Sequence, residues 1–329
     1  MPRVGVVIYE ATDNIGDDVQ TLAMLELVNR LRPDVAVVLV DRERLDDPAI
    51  ADLDGLICSG WFMYDVGHWP PAHPRALFVS MHVTTRNKSA ATLFHPDLKA
   101  YYGRQAGPVG CRDKGTRDRF AAIGVDAYYS ACATLTLESR AHRPEPGKGS
   151  ILAIDPFYHT TFDWGYQNQQ LHRLVPPEDH HRIVRMENRF PGWARQDHAA
   201  RMKAAREYVD AIAAAEVVIT SRIHAALPAV AVGTPVFFPL TGYDRNAASM
   251  DRFDGMLSFF HVLEGNLFPL SSRKRWAKAL RSLRVHHLMP QPSMAHWLSA
   301  GTSPCPPSDT PDAYRVKITA VVSEYLDSL

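Results

Sequence analysis

The 329-residue chain has no excess of charge of either sign and no long apolar run. Lysine plus arginine and aspartate plus glutamate each number 36, so the formal net charge is +0. No overall field therefore draws the chain to nucleic acid or to an anionic membrane. No segment reaches the roughly 18 apolar residues that a membrane-spanning helix needs, so we expect no integral membrane segment. An anion-binding site in this protein must be local.

Cysteine is also scarce, and the pattern of cysteines and histidines does not suit a metal. The cysteines form no Cys-x-x-Cys pair, which favours buried free thiols in a reducing compartment. The pairs His180-His181 and His286-His287 point apart and have no His-Glu-x-x-His framework, so no metal is expected. The start of the chain lacks the apolar core of a signal peptide, and we predict a cytoplasmic protein. The four cysteines are Cys58, Cys111, Cys132 and Cys305.

Apolar runs of strand type alternate with amphipathic helical segments, which predicts parallel, doubly wound α/β sheets. A stretch at 140–149, rich in proline, glycine and charge, separates two such halves. We predict an N-terminal Rossmann-like domain over 1–142, a second Rossmann-like domain over 150–310 and a final helix over 311–329. The two domains would face each other across a cleft. By analogy with similar folds, the final helix would cross back to the first domain.

The individual elements follow from hydrophobic periodicity. Strands are predicted at Val4–Tyr9, Val35–Val40, Gly55–Cys58, Ala76–Met81, Val109–Cys111, Val125–Tyr129, Ile151–Ile154, Val217–Thr220 and Val236–Phe238. Helices are predicted at Asp18–Leu31, Pro96–Arg104, Lys114–Ile123, Ala199–Ala214, Arg273–Arg284 and Pro311–Leu329.

The segment Val217–Pro228 is the most informative part of the chain. An apolar strand ends at Thr220-Ser221, and Ser221 is a good helix N-cap, which would place Arg222 and His224 in the first helical turn. Ligands of open α/β sheets bind beyond such strand ends, and a helix N-terminus favours an anion. Arg222 would then bind the anion and His224 would move a proton. The alternative is an ordinary capped helix in which Arg222 pairs with a carboxylate.

Two further strand-to-helix junctions lie in the first half. Asn14, Asp17 and Asp18 follow the first strand, where acidic side chains either cap a helix or bind and deprotonate a hydroxyl. This segment has one glycine, so it is not a dinucleotide fingerprint. Arg112 ends another strand, and Asp113 is a predicted N-cap of the helix that follows. Arg112 would point into the same cleft as Arg222, or form a surface pair that contributes little.

The segment Phe157–Trp193 is long, aromatic and rich in histidine, with little periodicity. We interpret it as a candidate lid that recognises an acceptor, or equally as a packed surface insertion. The segment Asp251–Gly255 carries two acidic residues around an arginine, and its pattern does not decide between a structural pair and a site.

Taken in order, these blocks resemble the polysaccharide pyruvyl transferase family. The resemblance covers most of the chain, and its most specific block is Ser221-Arg222-Ile223-His224 with the later Gly233-Thr234-Pro235. The blocks are Asn14-Ile15-Gly16-Asp17-Asp18 with Gln20-Thr21-Leu22-Ala23, Cys111-Arg112-Asp113-Lys114 followed by Phe120, Gly124 and Val125, Val218–Ala226 with Pro228-Ala229, Ala231 and Gly233–Val236, and Asp251–Gly255.

The resemblance implies a glycosyltransferase-B-like arrangement of the two domains. It also implies a transferase that moves the enolpyruvyl group of phosphoenolpyruvate onto hydroxyls of a saccharide or lipid-linked glycan. The product is a pyruvate ketal, phosphate is released, and no metal or organic cofactor is expected. The resemblance leaves the acceptor sugar and the oligomeric state open.

By motif position, the family resemblance also implies residue roles. Arg222, Arg112 and Ser221 would bind the donor, and His224 would be the general acid. Asp17 and Asp18 would meet the acceptor together with Asn14 and could act in catalysis. The roles are carried by position in the family's motifs.

Two segments depart from the family pattern: Cys58-Ser59-Gly60-Trp61 where a glycine cluster is common, and Ala131-Cys132-Ala133 where an acidic residue is common. They put the acceptor, and activity itself, in question. Two alternatives therefore stand beside the transferase: a sugar-nucleotide glycosyltransferase of the same architecture, and an inactive relative that serves as a binding protein.

Overall fold

The computed structural model describes residues 1–84, 89–139, 141–142, 144–145, 147–157, 168, 171–172, 174–240, 250–263 and 310–329. The helix predicted at Arg273–Arg284 lies outside the described residues, as does part of the Phe157–Trp193 segment. Within the described residues, no helix combines the length and the apolar character that crossing a membrane requires.

The first domain is built on a six-stranded parallel sheet. Its strands read as nearly continuous apolar runs because both faces are covered, and all eight residues of the fourth strand are buried. The strands are β1 (Arg3–Ile8), β2 (Ala36–Asp41), β3 (Gly55–Phe62), β4 (Ala76–Val83), β5 (Val109–Cys111) and β6 (Ala127–Tyr129). Their order is β2-β1-β3-β4-β5-β6, so the direction of winding reverses between β1 and β3.

The helices of the first domain begin where polar side chains cap them. Asn14 caps the first helix, because its Oδ1 accepts from the amide of Gly16 at 3.1 Å. Asp113 caps the fourth as predicted, since its Oδ1 accepts from the amide of Thr116 at 2.8 Å. The helices are α1 (Ile15–Leu31), α2 (Ser89–Leu93), α3 (Lys99–Tyr102) and α4 (Lys114–Ala122).

The second domain is built on a five-stranded parallel sheet. The strands are β7 (Ile151–Ile154), β8 (Ile183–Met186), β9 (Val217–Thr220), β10 (Val236–Pro239) and β11 (His261–Leu263). Their order is β11-β10-β9-β7-β8, which puts the reversal between β7 and β9. Sequence periodicity missed β8 and β11, because these two edge strands are short and only partly buried. The helices are α5 (His198–Ala213) and α6 (Ile223–Ala231).

The last helix, α7 (Asp312–Asp327), packs on the first sheet. Ile318, Val322 and Leu326 are buried among side chains of β1 and β3. The hydroxyl of Tyr325 accepts from the amide of Leu56 at 2.8 Å and donates to the carbonyl of Arg75 at 2.9 Å. The helix at the end of the chain therefore completes a layer of the first domain.

A buried ion pair joins the two domains beneath the cleft. Nη2 of Arg201 on α5 lies 2.7 Å from Oδ1 of Asp18 on α1, and both side chains are almost fully buried. The same guanidinium donates to the carbonyl of Tyr9, and Nε1 of Trp193 donates to Asp18. One cluster of buried apolar residues also continues from α1 into α5 and α6. These contacts set the spacing of the two sheets.

Candidate active site

A cavity of about 190 Å³ lies between the two sheets, at the carboxyl ends of their strands. The segments after β1 and β3, at the reversal of the first sheet, and the segment after β9, at the reversal of the second, reach this cavity, as expected for ligand sites of open α/β sheets. Of the residues predicted from sequence, Asn14, Asp17, Arg112, Arg222 and His224 line it. Two other predicted residues, Asp18 and Ser221, do not.

The predicted capping role of Ser221 is wrong. The N-cap of α6 is Arg222, without a side-chain cap, and the helix begins at Ile223. The hydroxyl of Ser221 instead donates to the carbonyl of Asp155 at 3.0 Å, and the hydroxyl of Thr220 accepts from the amide of Arg222 at 3.0 Å. Ser221 therefore fixes the β7–β9 junction from a buried position, while His224 still lies in the first helical turn.

Arg222 pairs with a carboxylate, as the alternative interpretation of its segment expected, but the partner, Asp155, was not predicted. Nε and Nη2 of Arg222 lie 2.8 Å and 2.7 Å from Oδ2 of Asp155, which follows β7. Asp155 adopts φ 37°, a left-handed conformation that costs about 1–3 kcal/mol for a side chain of this kind. Backbone strain of this kind is typical of residues at functional sites. Here the Asp155 carboxylate orients the guanidinium of Arg222 at the cavity wall.

Two residues of the cavity wall, Arg112 and His224, contact each other and the buried side chain of Gln20 behind them. Nη1 of Arg112 lies 3.2 Å from Nε2 of His224 and 3.4 Å from Oε1 of Gln20. Nε2 of Gln20 lies 3.3 Å from Nδ1 of His224 and 3.4 Å from the carbonyl of Gly16, which supports this orientation of the amide. Gln20 belongs to a block that carries the family resemblance, but it was not predicted as a site residue.

This arrangement is short of one hydrogen-bond acceptor. Arginine only donates, the Gln20 amide nitrogen only donates, and a neutral imidazole offers one acceptor nitrogen. Three contacts therefore share two acceptors, the oxygen of Gln20 and one nitrogen of His224. Nε of Arg112 is also buried without a partner among the described residues. An anion oxygen placed against Arg112 and His224 would supply the missing acceptor.

The electrostatics of the cavity also favour an anion. Burial, followed by the charges of Arg112, Arg252 and other neighbours, holds the pKa of His224 well below its ordinary value. The imidazole is therefore neutral at neutral pH without a ligand. The arginines that line the cavity are Arg42, Arg112, Arg189, Arg222 and Arg252, and its acidic residues are Asp13 and Asp17.

The two predicted acceptor carboxylates have different environments. Asp17 lines the cavity, and its Oδ2 accepts from the hydroxyl of Thr12 at 2.7 Å. Burial raises the pKa of Asp17 above its ordinary value. Asp18 is buried in the pair with Arg201 because successive helical residues point about 100° apart. Asp18 therefore positions the domains from outside the cavity.

Asn14 and Gly16 connect the cavity to the second domain. Oδ1 of Asn14 accepts from Nδ2 of Asn188, and its main chain forms a bridge with Arg189. A Cβ atom on Gly16 would lie 2.7 Å from Cβ of His224. The glycine therefore lets the first turn of α1 pack directly against the catalytic candidate on α6.

Two further groups on the cavity wall were missed by sequence reasoning. Nδ1 of His82, on β4, lies 2.6 Å from Oδ2 of Asp113. Trp61 and Tyr64, at the end of β3, have ring centroids 4.5 Å apart, and the guanidinium of Arg42 lies 4.7 Å from the Trp61 centroid. A strand histidine and a turn tyrosine carry no local signal, and only the sheet order brings them to the cavity.

The remaining predicted segments also find places around the cavity. Arg252 lines it, while the amide of Lys114 donates to the carbonyl of Asp254, which ties the Asp251–Gly255 segment to the first domain. Cys58–Gly60 contains an irregularity in the β3–β4 pairing, and Ala131 follows β6 with φ 60°. Among the described residues, no group of three histidine, cysteine, aspartate or glutamate side chains is placed to hold a metal ion.

Comparison with known proteins adds a family and a fold. The family model described as polysaccharide pyruvyl transferase matches residues 14–240, which span both domains. No curated protein sequence matches the chain significantly.

Among solved structures, a candidate UDP-N-acetylglucosamine 2-epimerase from Listeria monocytogenes has a TM-score of 0.50 at 12% identity, covering 99% of this chain and 97% of that chain. MnaA of S. aureus, solved with UDP, has a TM-score of 0.49 at 9% identity and covers 100% and 98%. A functionally uncharacterised protein from Klebsiella pneumoniae has a TM-score of 0.45 at 13% identity and covers 80% and 93%. The Listeria likeness shows the fold alone: two Rossmann-like domains in a glycosyltransferase-B-like arrangement, as predicted.

Proposed function

The chain belongs to the polysaccharide pyruvyl transferase family, and on that premise we propose that its donor is phosphoenolpyruvate. The enolpyruvyl group is moved onto two hydroxyls of a saccharide or glycan intermediate, which yields a cyclic pyruvate ketal and inorganic phosphate. The observation that carries this proposal is the missing acceptor among Arg112, His224 and Gln20, in a cavity lined by arginines.

The size and charge of the cavity suit a compact anion. A volume of about 190 Å³ is below the roughly 300–1,000 Å³ of pockets that enclose drug-sized ligands. The carboxylate and phosphate of the donor supply the oxygens that Arg112 and His224 lack, and planar guanidinium groups bind such oxygens in pairs. Asp155 pre-orients Arg222 for the same ligand, which lowers the entropy lost on binding.

His224 acts as the general acid. Burial and, after it, the neighbouring arginines hold its pKa down. Bound negative charge offsets the arginines, so the imidazole gains a proton in the complex where that proton is used. It protonates the methylene carbon of the donor, and the adjacent carbon becomes an oxocarbenium-like centre that a hydroxyl attacks. A positioned acid of this kind contributes about 10²–10⁴ in rate.

The acceptor approaches from the side of the first domain. Trp61 and Tyr64 line the same cavity as Asp17 and offer aromatic faces, and Tyr64 is 72% exposed. Aromatic rings pack on the apolar faces of sugar rings, while the Asp17 carboxylate accepts from hydroxyls. The acceptor role of the Phe157–Trp193 segment stays a prediction, because part of that segment lies outside the described residues.

The test is release of phosphate from phosphoenolpyruvate in the presence of a panel of saccharide acceptors, with the ketal methyl group followed by NMR. His224→Gln should lose about 10²–10⁴-fold in kcat. His73→Gln is the matched control, because His73 is a buried histidine of the first domain that bonds the carbonyl of Leu53 outside the cavity. Full activity of the His224 variant would contradict the assigned role.

Ligand-induced thermal stabilisation separates the rival functions. Phosphoenolpyruvate alone should raise Tm, since it binds the folded state. Stabilisation by a nucleoside diphosphate but not by phosphoenolpyruvate would indicate a sugar-nucleotide glycosyltransferase. Stabilisation by neither ligand would indicate an inactive relative with a binding role.

A further inference from the structure

A buried histidine–aspartate pair lies on the cavity wall, apart from His224. His82 is the last but one residue of β4, and its ring lines the cavity. Nδ1 lies 2.6 Å from Oδ2 of Asp113, whose other oxygen accepts from the amide of Thr116. No described residue hydrogen-bonds Nε2 of His82, and the side chain is only 7% exposed.

The surroundings of His82 fix its protonation and orientation. The charged groups near the ring are Asp113, Arg112 and Arg252, and His224 lies across the same cavity. An ionised Asp113 accepts the Nδ1 proton, which leaves the lone pair on Nε2. Burial and the charge of Arg112 lower the pKa of His82 to about 4, so the ring is neutral near pH 7. It therefore resembles a general base held in one tautomer.

We propose that His82 is the general base for the acceptor hydroxyl and that Asp113 is its positioning residue. The proposal rests on the proposed function, and it names a second proton-transfer group that the family motifs did not indicate. Asp17 is less suited to the role, because its carboxylate already accepts from Thr12 and contacts Asn14 and Gln20. Nε2 of His82 has no competing bond among the described residues.

Two histidines balance the protons of the reaction. In the first half, His224 protonates the methylene carbon, while the first hydroxyl bonds to the adjacent carbon and gives its proton to His82. In the second half, the bond from that carbon to the phosphate oxygen breaks, and His82 gives its proton to the leaving phosphate. The second hydroxyl then closes the ketal and gives its proton to His224. Both histidines return to their starting states.

Three variants of the full chain test the roles assigned to His82 and Asp113. His82→Gln and His82→Ala should lower kcat by about 10²–10⁴-fold while the Kd for phosphoenolpyruvate stays within about threefold of wild type. Asp113→Asn keeps a capping oxygen for Thr116 but turns an amide towards His82, which moves the ring proton to Nε2. Its kcat should fall on the order of 10²-fold or more. His73→Gln again serves as the control.

Chemical rescue distinguishes a base from a structural residue. Added imidazole should restore turnover of His82→Ala in proportion to the unprotonated buffer. It should not restore His224→Gln, and it should leave the turnover of the active control His73→Gln unchanged. The free energy of unfolding, measured by urea, reports whether each variant is folded. Unchanged turnover of both His82 variants, or a loss in folded His82→Ala that imidazole does not rescue, overturns the proposal.

Failure of this inference differs from failure of the proposed function. If wild type releases phosphate from phosphoenolpyruvate and the His82 variants do so equally well, the donor chemistry stands and the base is another group. If wild type releases none with any acceptor and phosphoenolpyruvate does not raise its Tm, the proposed function itself is wrong, and the base role of His82 falls with it.

Discussion

Nη1 of Arg112 lies 3.2 Å from Nε2 of His224, so a permanent hydrogen-bond donor faces a ring nitrogen of the proposed general acid. The two residues come from different domains, on the β5–α4 junction and on α6. Burial is the largest cause of the lowered pKa of His224, and the charge of Arg112 is the next largest. Ligand binding and protonation of His224 are therefore coupled at this contact.

Replacement of Arg112 should change both the affinity for phosphoenolpyruvate and the pKa of His224, and the two effects can be measured separately. Arg112→Met removes charge-assisted bonds worth about 1.5–3 kcal/mol each, so the Kd for phosphoenolpyruvate should rise by about 10–100-fold in calorimetry. The pKa of His224 in the free protein should rise, because its strongest cationic neighbour is gone, and an NMR titration can follow it. Arg44→Met, at an exposed arginine, is the control. An unchanged Kd in Arg112→Met would contradict donor binding by this residue.

The unliganded protein should lose stability as the pH falls. The pKa of His82 is about 4 in the folded protein and near 6.5 when unfolded, so the unfolded state binds more protons between these values. The contribution of His82 to the free energy of unfolding is therefore complete above about pH 6.5. It decreases by about 3 kcal/mol as the pH falls towards 4. His224 acts in the same direction. Urea titrations at several pH values measure the slope, and His82→Gln should reduce it.

Asp18 should be a structural residue. Asp18→Asn leaves the buried guanidinium of Arg201 without its charge partner, which costs about 3–5 kcal/mol in the free energy of unfolding. Glu207→Gln removes an exposed ion pair on the same helix, α5, and should cost less than about 0.5 kcal/mol. Chemical denaturation compares the two. Equal, small losses would show that the buried pair does not hold the domains together.

Gly16→Ala should impair turnover more than folding. The added Cβ would lie 2.7 Å from Cβ of His224, which is too close for two carbon atoms, so α1 or α6 must move apart. Displacement of a catalytic group by about 1 Å can cost on the order of 10²-fold, and we expect a loss of about tenfold in kcat. At Gly103 the nearest atom to an added Cβ is 3.4 Å away, which makes Gly103→Ala the control. Comparable kcat values for Gly16→Ala and Gly103→Ala would show that a shift of His224 at this contact does not affect turnover.

Local sequence patterns predicted individual elements well. The strands Val109–Cys111 and Ile151–Ile154 match the observed bounds, and the capping role of Asp113 was confirmed. The predicted cap at Ser221 was wrong because the helix begins one residue later, at Ile223, and the Ser221 hydroxyl donates to the carbonyl of Asp155 instead. Local pattern places the end of a helix only to within one or two residues.

The sequence by itself determined the class of fold, the family and the strand-end positions of Arg112, Asp17, Arg222 and His224. Those features follow from periodicity and from blocks of adjacent residues, which are local along the chain. Only the tertiary structure decided which side chains meet, because sheet order and domain packing bring distant residues together. Asp155 contacts Arg222, 67 positions away in the sequence. Gln20 contacts His224 at a separation of 204 positions, and His82 contacts Asp113 at a separation of 31. Contacts of that separation form when apolar faces pack, and no local pattern records them.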